Sequence, residues 1–392
     1  MTTKLPAIGA PDRHSALVTE QEMPPEIVAR AQEYLADFKS ARAAKTIRAF
    51  ENGVRLFRAW CESGGHGWFP ASPATVAAFV ASIAKQPFRR IVTKRGKPTA
   101  ITTGPIAAAT MKQYLWAIGL LHRSADLPDP TKTGKVGFAV DAFERDVGVW
   151  QRQAPALTRE ASDRMVAEIE RRLGDAREDG KPASLYDLRD RALLLVWRDT
   201  LARVGEVVRL RWDDFERHPV KASGSVRIRR SKTDQKGQGH ARHLTAEAVA
   251  ALDVWRDAHA AAIDQALAAI PEPSAGNVEA ARRRTRWAAL AAARDFVFVG
   301  VHRAGITPLS DTAAVRVLND RAADAGVLQR FSGHSVRVGT TQDLLADGHE
   351  VAAIAQAGGW KDIKMVLRYG DRLLTERSAV AQAEASRSRK EP

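Results

Sequence analysis

Apolar residues recur at three- and four-residue intervals through most of the chain, so helix is the dominant expectation. Ile27, Ala31, Tyr34 and Leu35 fit one helical face, and Ile47, Phe50, Val54, Phe57 and Trp60 fit a second. Ser72-Pro73 reads as an N-cap followed by proline at the first helical position, with Val76, Phe79, Val80 and Ile83 as the buried stripe. Met111, Leu115, Ile118 and Leu121 give a fourth helix, which the breaker-rich stretch Leu127–Gly134 ends. A short helix then reaches Trp150. The spacing predicts a loose arm over 1–22, a helical domain over 23–150, a linker over 151–157 and a second domain over 158–392.

The second domain opens on Thr158 and Glu160, with Met165, Ile169 and Leu173 inward. Leu185 to Val208 reads as one long apolar helix. Val226-Arg-Ile-Arg-Arg alternates as a strand does, and the turn-rich Ser231–Gly239 follows it. Residues 246–292 are Ala-rich helix, interrupted at Pro271–Gly276. Phe296–Val299 reads as a short strand, and helices return from Ser310. The fold class expected is mainly α with a small β-sheet in the second domain.

Charge then narrows the partner. Lys plus Arg number 60 against 46 Asp plus Glu, a formal +14. Residues 1–150 and 151–392 each carry +7, which suits a polyanion touched along the whole chain. Lys85 to Lys97 holds six basic and no acidic residues, as a solvated loop or a phosphate contact. The single cysteine, Cys61, excludes an intramolecular disulfide framework and reads as a small buried hydrophobe. No signal peptide is recognisable, and the longest uncharged run, Ser63–Ala84, carries His66, Pro70 and Pro73, unlike a membrane span. A cytoplasmic protein without membrane association is expected.

Four local clusters carry candidate chemistry. Arg203 and Glu206 stand three apart within the apolar run Thr200–Leu210, on one helix face. Lys232 follows the Arg-rich strand. His334 and Arg337 share a helix face that Ser332-Gly333 can start. Trp360 follows Gly358-Gly359, and Tyr369 lies nine residues after it. Singly, each has a plain structural reading: a surface ion pair, an exposed lysine, a common His-x-x-Arg, a core aromatic.

Together, in this order and spacing, they resemble the signature of the tyrosine site-specific recombinase, or phage integrase, family: Arg-x-x-Glu, a hairpin Lys, His-x-x-Arg, a Gly-rich His/Trp position and a Tyr about nine residues on. Arg203, Glu206, Lys232, His334, Arg337, Trp360 and Tyr369 match it throughout. Trp360, the segments Ser332–Gly339 and Gln356–Trp360, and Trp60-Cys61, Trp68–Ala71 and Leu121–Ser124 are similar to the Cre-like branch. The likeness runs over residues 40–375. Lys85–Lys97 and Pro271–Arg286 look like insertions, and Asp311 and Thr312 fall where the branch has a base-reading arginine, so a different DNA target is implied.

The resemblance implies a two-domain DNA clamp, a helical core-binding domain followed by a catalytic domain. It implies a homotetramer on double-stranded DNA with paired sites and a C-terminal exchange helix at about Glu376–Ser386. DNA contacts are expected from Lys45, Arg48, Lys112, Gln113 and Arg316, with Tyr369 as nucleophile. Two arginines offer forked donors to the non-bridging phosphate oxygens. Lys232 suits general-acid work on the departing 5′-oxygen, Trp360 can donate its indole N–H, and Glu206 can orient the arginines. His334 can serve as acid, base or support. No metal and no cofactor are expected. A type IB topoisomerase-like nicking-closing enzyme and a catalytically inactive DNA-binding protein are the other readings.

Overall fold

The computed structural model describes residues 24–84, 88–94, 97–103, 106–149, 153–231, 237–270, 278–302, 305–376, 378 and 380–381. The chain forms two compact units, Met1–Arg152 and Gln153–Pro392. The arm expected over 1–22 lies outside the described residues, as do Trp150–Arg152 and most of the expected exchange helix.

In the first unit, α1 (Pro25–Ala41) buries Val28, Ala31, Leu35 and Phe38, and α2 (Ala44–Gly64) buries Phe50, Val54, Phe57, Trp60 and Cys61. Burial pushes the Cys61 thiol up to about 12, so it packs as a hydrophobe. Tyr34, expected inward, is 45% exposed, because the stripe set by Leu35 and Phe38 leaves it on the outer side. The helix α3 (Pro73–Ala84) starts on Ser72, whose Oγ accepts from Thr75 N at 3.1 Å. Its Phe79 ring meets Phe57 at 5.1 Å and Trp60 at 5.4 Å. Burying each such side chain contributes roughly 1.5–3 kcal/mol.

The basic run expected as a loop is largely a hairpin, β1 (Phe88–Lys94) with β2 (Lys97–Thr103), antiparallel from Phe88 opposite Thr103 to Lys94 opposite Lys97. Ile91, Val92 and Thr93 on one side and Thr99, Ile101, Thr102 and Thr103 on the other are β-branched, which favours strands. The charge count hides that local preference. Beyond it, α4 (Ala108–Ser124) buries Met111, Leu115, Ile118 and Leu121. A Cβ at Gly53 would fall 2.6 Å from that of Ala117, so glycine lets α2 and α4 close. His122 is buried. Its Nε2 accepts from Ala71 N at 2.8 Å, and burial holds its pKa below the usual value. The unit ends with α5 (Gly134–Val147), which buries Val136 and Phe143.

The second unit begins with α6 (Arg159–Glu178), capped by Thr158, and α7 (Leu185–Thr200), capped by Ser184. The helix expected to continue to Val208 breaks at Leu201, whose φ is +47°, and a single turn, α8 (Val204–Val207), follows. Beyond the break, fully buried Trp197 donates its Nε1 to Ala202 O at 2.9 Å. A three-stranded antiparallel sheet comes next, β3 (Phe215–Arg217), β4 (Gly224–Ile228) and β5 (His240–Leu244), in that order. The helices α9 (Ala246–Ala268) and α10 (Val278–Ala293) follow.

The expected strand at Phe296–Val299 is displaced: β6 (Val299–His302) pairs with β7 (Gly305–Pro308). Residues 295–297 instead join the segment after α8, with Trp212 N donating to Asp295 O at 3.0 Å and Val297 N to Leu210 O at 2.9 Å. The chain closes with α11 (Asp311–Asp324), α12 (Ser335–Ala346), α13 (Val351–Gly358) and α14 (Lys364–Glu376). The unit has its own core, centred on Trp197, Trp255 and Phe298. The molecule is thus mainly helical with small sheets. Among the described residues no helix is long and apolar enough to cross a membrane.

Candidate active site

The site is assembled around Arg337, on the first turn of α12. Its side chain is 1% exposed. One Nη donates to Leu201 O and the other to Gly358 O at 2.7 Å, and its Cζ lies 3.9 Å from the centre of the Trp360 ring. The left-handed turn at Leu201 therefore has a use: it ends α7 and delivers a carbonyl to the guanidinium. Burial first, and then the nearby Arg203, push the Arg337 pKa down to about 10, with Glu206 pulling the other way. It stays charged at neutral pH.

Arg203 precedes α8 as its N-cap, and Glu206 is the third residue of that turn. Expected within one long helix, the pair stands instead at a helix start, because of the break at Leu201. Glu206 Oε2 accepts from Arg203 N at 2.9 Å and Oε1 from Arg203 Nη1 at 2.7 Å. Buried Glu206 thus fixes both the backbone and the fork of an arginine that keeps 25% of its side chain exposed.

Trp360 and Tyr369 complete the group. Their rings meet edge-on, 5.8 Å apart at 65°. A Cβ at Gly358 would fall 1.8 Å from the Trp360 ring, and Gly359, at φ +60°, ends α13, so the Gly-Gly pair is what lets the indole turn back onto Arg337. Gln342 Nε2 donates to Tyr369 O at 2.9 Å, and Gln153 Nε2 donates to Arg368 O, holding α14 from two sides. Gly370 lets α14 approach α12, since a Cβ there would fall 2.2 Å from Leu345.

His334, expected on the helix face with Arg337, is the N-cap of α12 and is exposed. The turn over 332–335, with Ser332 N donating to Ser335 Oγ at 2.8 Å, delays the helix by one residue. Lys232 lies outside the described residues, in the connection between β4 and β5. Lys45 and Arg48 are exposed on α2, and Lys112 and Gln113 on α4, where Lys112 pairs with Glu144 at 2.7 Å. Arg316 is exposed on α11. Among the described residues no group of three His, Cys, Asp or Glu side chains is placed to hold a metal ion.

Two residues of the site fall outside the sequence motifs. Gln342 offers no signal beyond its helix. Arg242 does offer one: in His240–Leu244 it shares the inward face with Leu244, as a period of two requires.

The arrangement joins forked cations, an orienting carboxylate, an indole and a phenol in one place. Residues 164–374 match the phage integrase family. The chain belongs to that family. Within it, the chain is 25% identical over 366 residues to the Cre recombinase of Escherichia phage P1, covering 88% of this chain and 89% of that protein. It is also 25% identical over 337 residues to an integrase/recombinase XerD homologue of Selenomonas ruminantium, covering 84% and 82%. Equal identity to both carries the family rather than a branch. In fold, the chain is similar to XerH site-specific recombinase bound to a palindromic difH substrate after cleavage, with a TM-score of 0.54 at 14% identity over 94% of this chain and 90% of that one. For the pre-cleavage XerH–difH complex the TM-score is 0.51 at 14% identity, over 93% and 90%.

Proposed function

We propose that this integrase-family chain is a site-specific DNA recombinase that cuts and rejoins strands through a 3′-phosphotyrosyl intermediate. The observation that carries the reading is that Arg203, Arg337, Trp360 and Tyr369, from four separate segments, meet in one cluster in which Glu206 holds Arg203. Tyr369 Oη attacks the phosphorus and gives up its proton to His334 or to water, the P–O5′ bond breaks, and the 5′-oxygen leaves with a proton from Lys232. Arg203 and Arg337 stabilise charge on the non-bridging oxygens, and the Trp360 N–H adds a donor. His334, at the mouth of α12, handles protons or supports the phosphate. The 5′-hydroxyl of a partner strand then attacks the phosphotyrosine and releases Tyr369. The phosphotyrosine bond conserves the energy of the broken one, so the exchange needs no cofactor, and the arginines supply the charge a metal would.

The basic balance supports DNA as substrate. From Ser63 to Ala125 the chain holds eight Lys and Arg and no carboxylate side chain. In this reading Lys45, Arg48, Lys112, Gln113 and Arg316 contact the duplex, the two units clamp it, and four protomers assemble on paired sites, with residues 376–386 reaching a neighbour.

The test is a set of nicked suicide duplexes covering the DNA that flanks the coding sequence, run in EDTA. A covalent adduct on denaturing gels, lost in Tyr369→Phe with DNA affinity retained, is expected. An adduct that persists in Tyr369→Phe, or a strict Mg²⁺ requirement for cleavage, would overturn the mechanism. Relaxation of supercoils without strand exchange between two sites would favour a topoisomerase.

A further inference from the structure

Arg242 is a buried cation that none of the motif positions includes. It stands on β5 opposite Val226 of β4 and is 7% exposed. Its Nη1 donates to Gln356 O at 3.1 Å, and among the described residues its buried Nε has no hydrogen-bond partner. A Cβ at Gly359 would fall 1.8 Å from Nη2 and 2.8 Å from Cζ, so the guanidinium packs against the Gly359 turn. No carboxylate forms an ion pair with it among the described residues. Burial pushes its pKa down, Glu206 pulls it back and Arg203 adds to the fall.

A buried arginine held, among the described residues, by one carbonyl is costly, and a leucine or methionine would fill the same space at less cost. Its position shows what it gains. Arg242 holds Gln356 O and Arg337 holds Gly358 O, so two cations grip alternate carbonyls of the turn that ends α13. That turn carries Trp360, which faces both Arg337 and Tyr369. Arg242 also brings the described cluster to three guanidinium groups and one carboxylate, a formal +2. A phosphodiester carries −1 and its pentavalent transition state −2, so the third cation favours the transition state over the ground state.

Building on the recombinase reading above, we propose that Arg242 is a positioning residue for strand cleavage, locking the Gln356–Trp360 turn and adding charge behind Arg203 and Arg337. The test compares single-turnover cleavage, DNA affinity and melting temperature on a suicide duplex that the wild-type protein traps. Arg242→Met keeps the volume and removes charge and donors. It should slow cleavage on the order of 10²-fold, the scale of a small misplacement of reacting groups, with DNA affinity and melting little changed. Arg242→Lys, which keeps the charge and one donor, should recover part of the rate. Gly359→Ala strikes the same contact from the other side. It should slow cleavage in the wild type and add less in the Arg242→Met background. Wild-type cleavage by folded Arg242→Met, a rate loss fully explained by its unfolded fraction, or additive effects of the two substitutions would overturn this role. A wild-type protein that traps no duplex would overturn the recombinase reading and this role with it.

Discussion

The second unit buries arginines in two places, and their charge balance differs. Between α7 and α11, Arg189 and Arg321 both grip Asp190, at 2.6 and 2.7 Å, and Arg321 also pairs with Asp187 at 2.6 Å and Asp324 at 3.3 Å. For Arg321 burial opposes the charge, but Asp190, Asp187 and Asp324 together outweigh it and raise its pKa, while burial of Asp190 outweighs its two arginines and raises that carboxyl's pKa. With Arg172, which meets Asp324 at 3.0 Å, three cations there meet three carboxylates. Around α8, α12 and β5 three cations meet, among the described residues, Glu206 alone, and both Arg337 and Arg242 have lowered pKa values because burial is not offset. A matched network binds elements to each other. An unmatched one stores positive potential that a phosphate group can neutralise.

The comparison breaks first at the matched network. Asp190→Ala should cost about 3–5 kcal/mol of stability, the usual penalty for leaving a buried charge unpaired. Cleavage per folded molecule should stay unchanged. Urea melts beside active-site titration decide it, and a fall in intrinsic rate would mean that the network serves the chemistry too.

Arg203→Ala should do the reverse. Cleavage should drop about 10²–10³-fold, the range for losing one preorganised donor to a developing oxyanion, with little change in unfolding midpoint. Loss of stability equal to that of Asp190→Ala would erase the distinction between the two clusters.

Sulfate gives a milder test. An anion at ten times its dissociation constant stabilises by about 1.4 kcal/mol, so the melting temperature should rise with sulfate in the wild type. The rise should shrink in Arg203→Ala. An identical rise in both proteins would mark a general salting effect.

The smallest effect is expected at a surface pair. Lys112 and Glu144 meet at 2.7 Å, but the lysine side chain is 63% exposed. Lys112→Ala should leave stability nearly unchanged. If the lysine contacts phosphate, the slope of log K for DNA against log salt should fall by about 1. An unaltered slope would remove Lys112 from the DNA surface.

Much of this protein is legible in the amino-acid sequence alone. Helical periodicity marks the buried faces of α2, α3 and α4, because core burial imposes 3.6-residue spacing directly on the chain. The spacing of Arg203, Glu206, His334, Arg337, Trp360 and Tyr369 is legible for a related reason, since short motifs sit on single turns and helices. Three features are decided only in the folded molecule. Leu201 leaves the helix because Arg337, 136 residues later, takes its carbonyl. The basic hairpin forms because pairing rewards β-branched residues that a charge count ignores. Arg242 enters the site because β5 meets the Gly359 turn across more than a hundred residues. Local sequence sets propensity and spacing. Which carbonyl a buried guanidinium finds depends on segments that only folding brings together, and desolvation makes that choice binding.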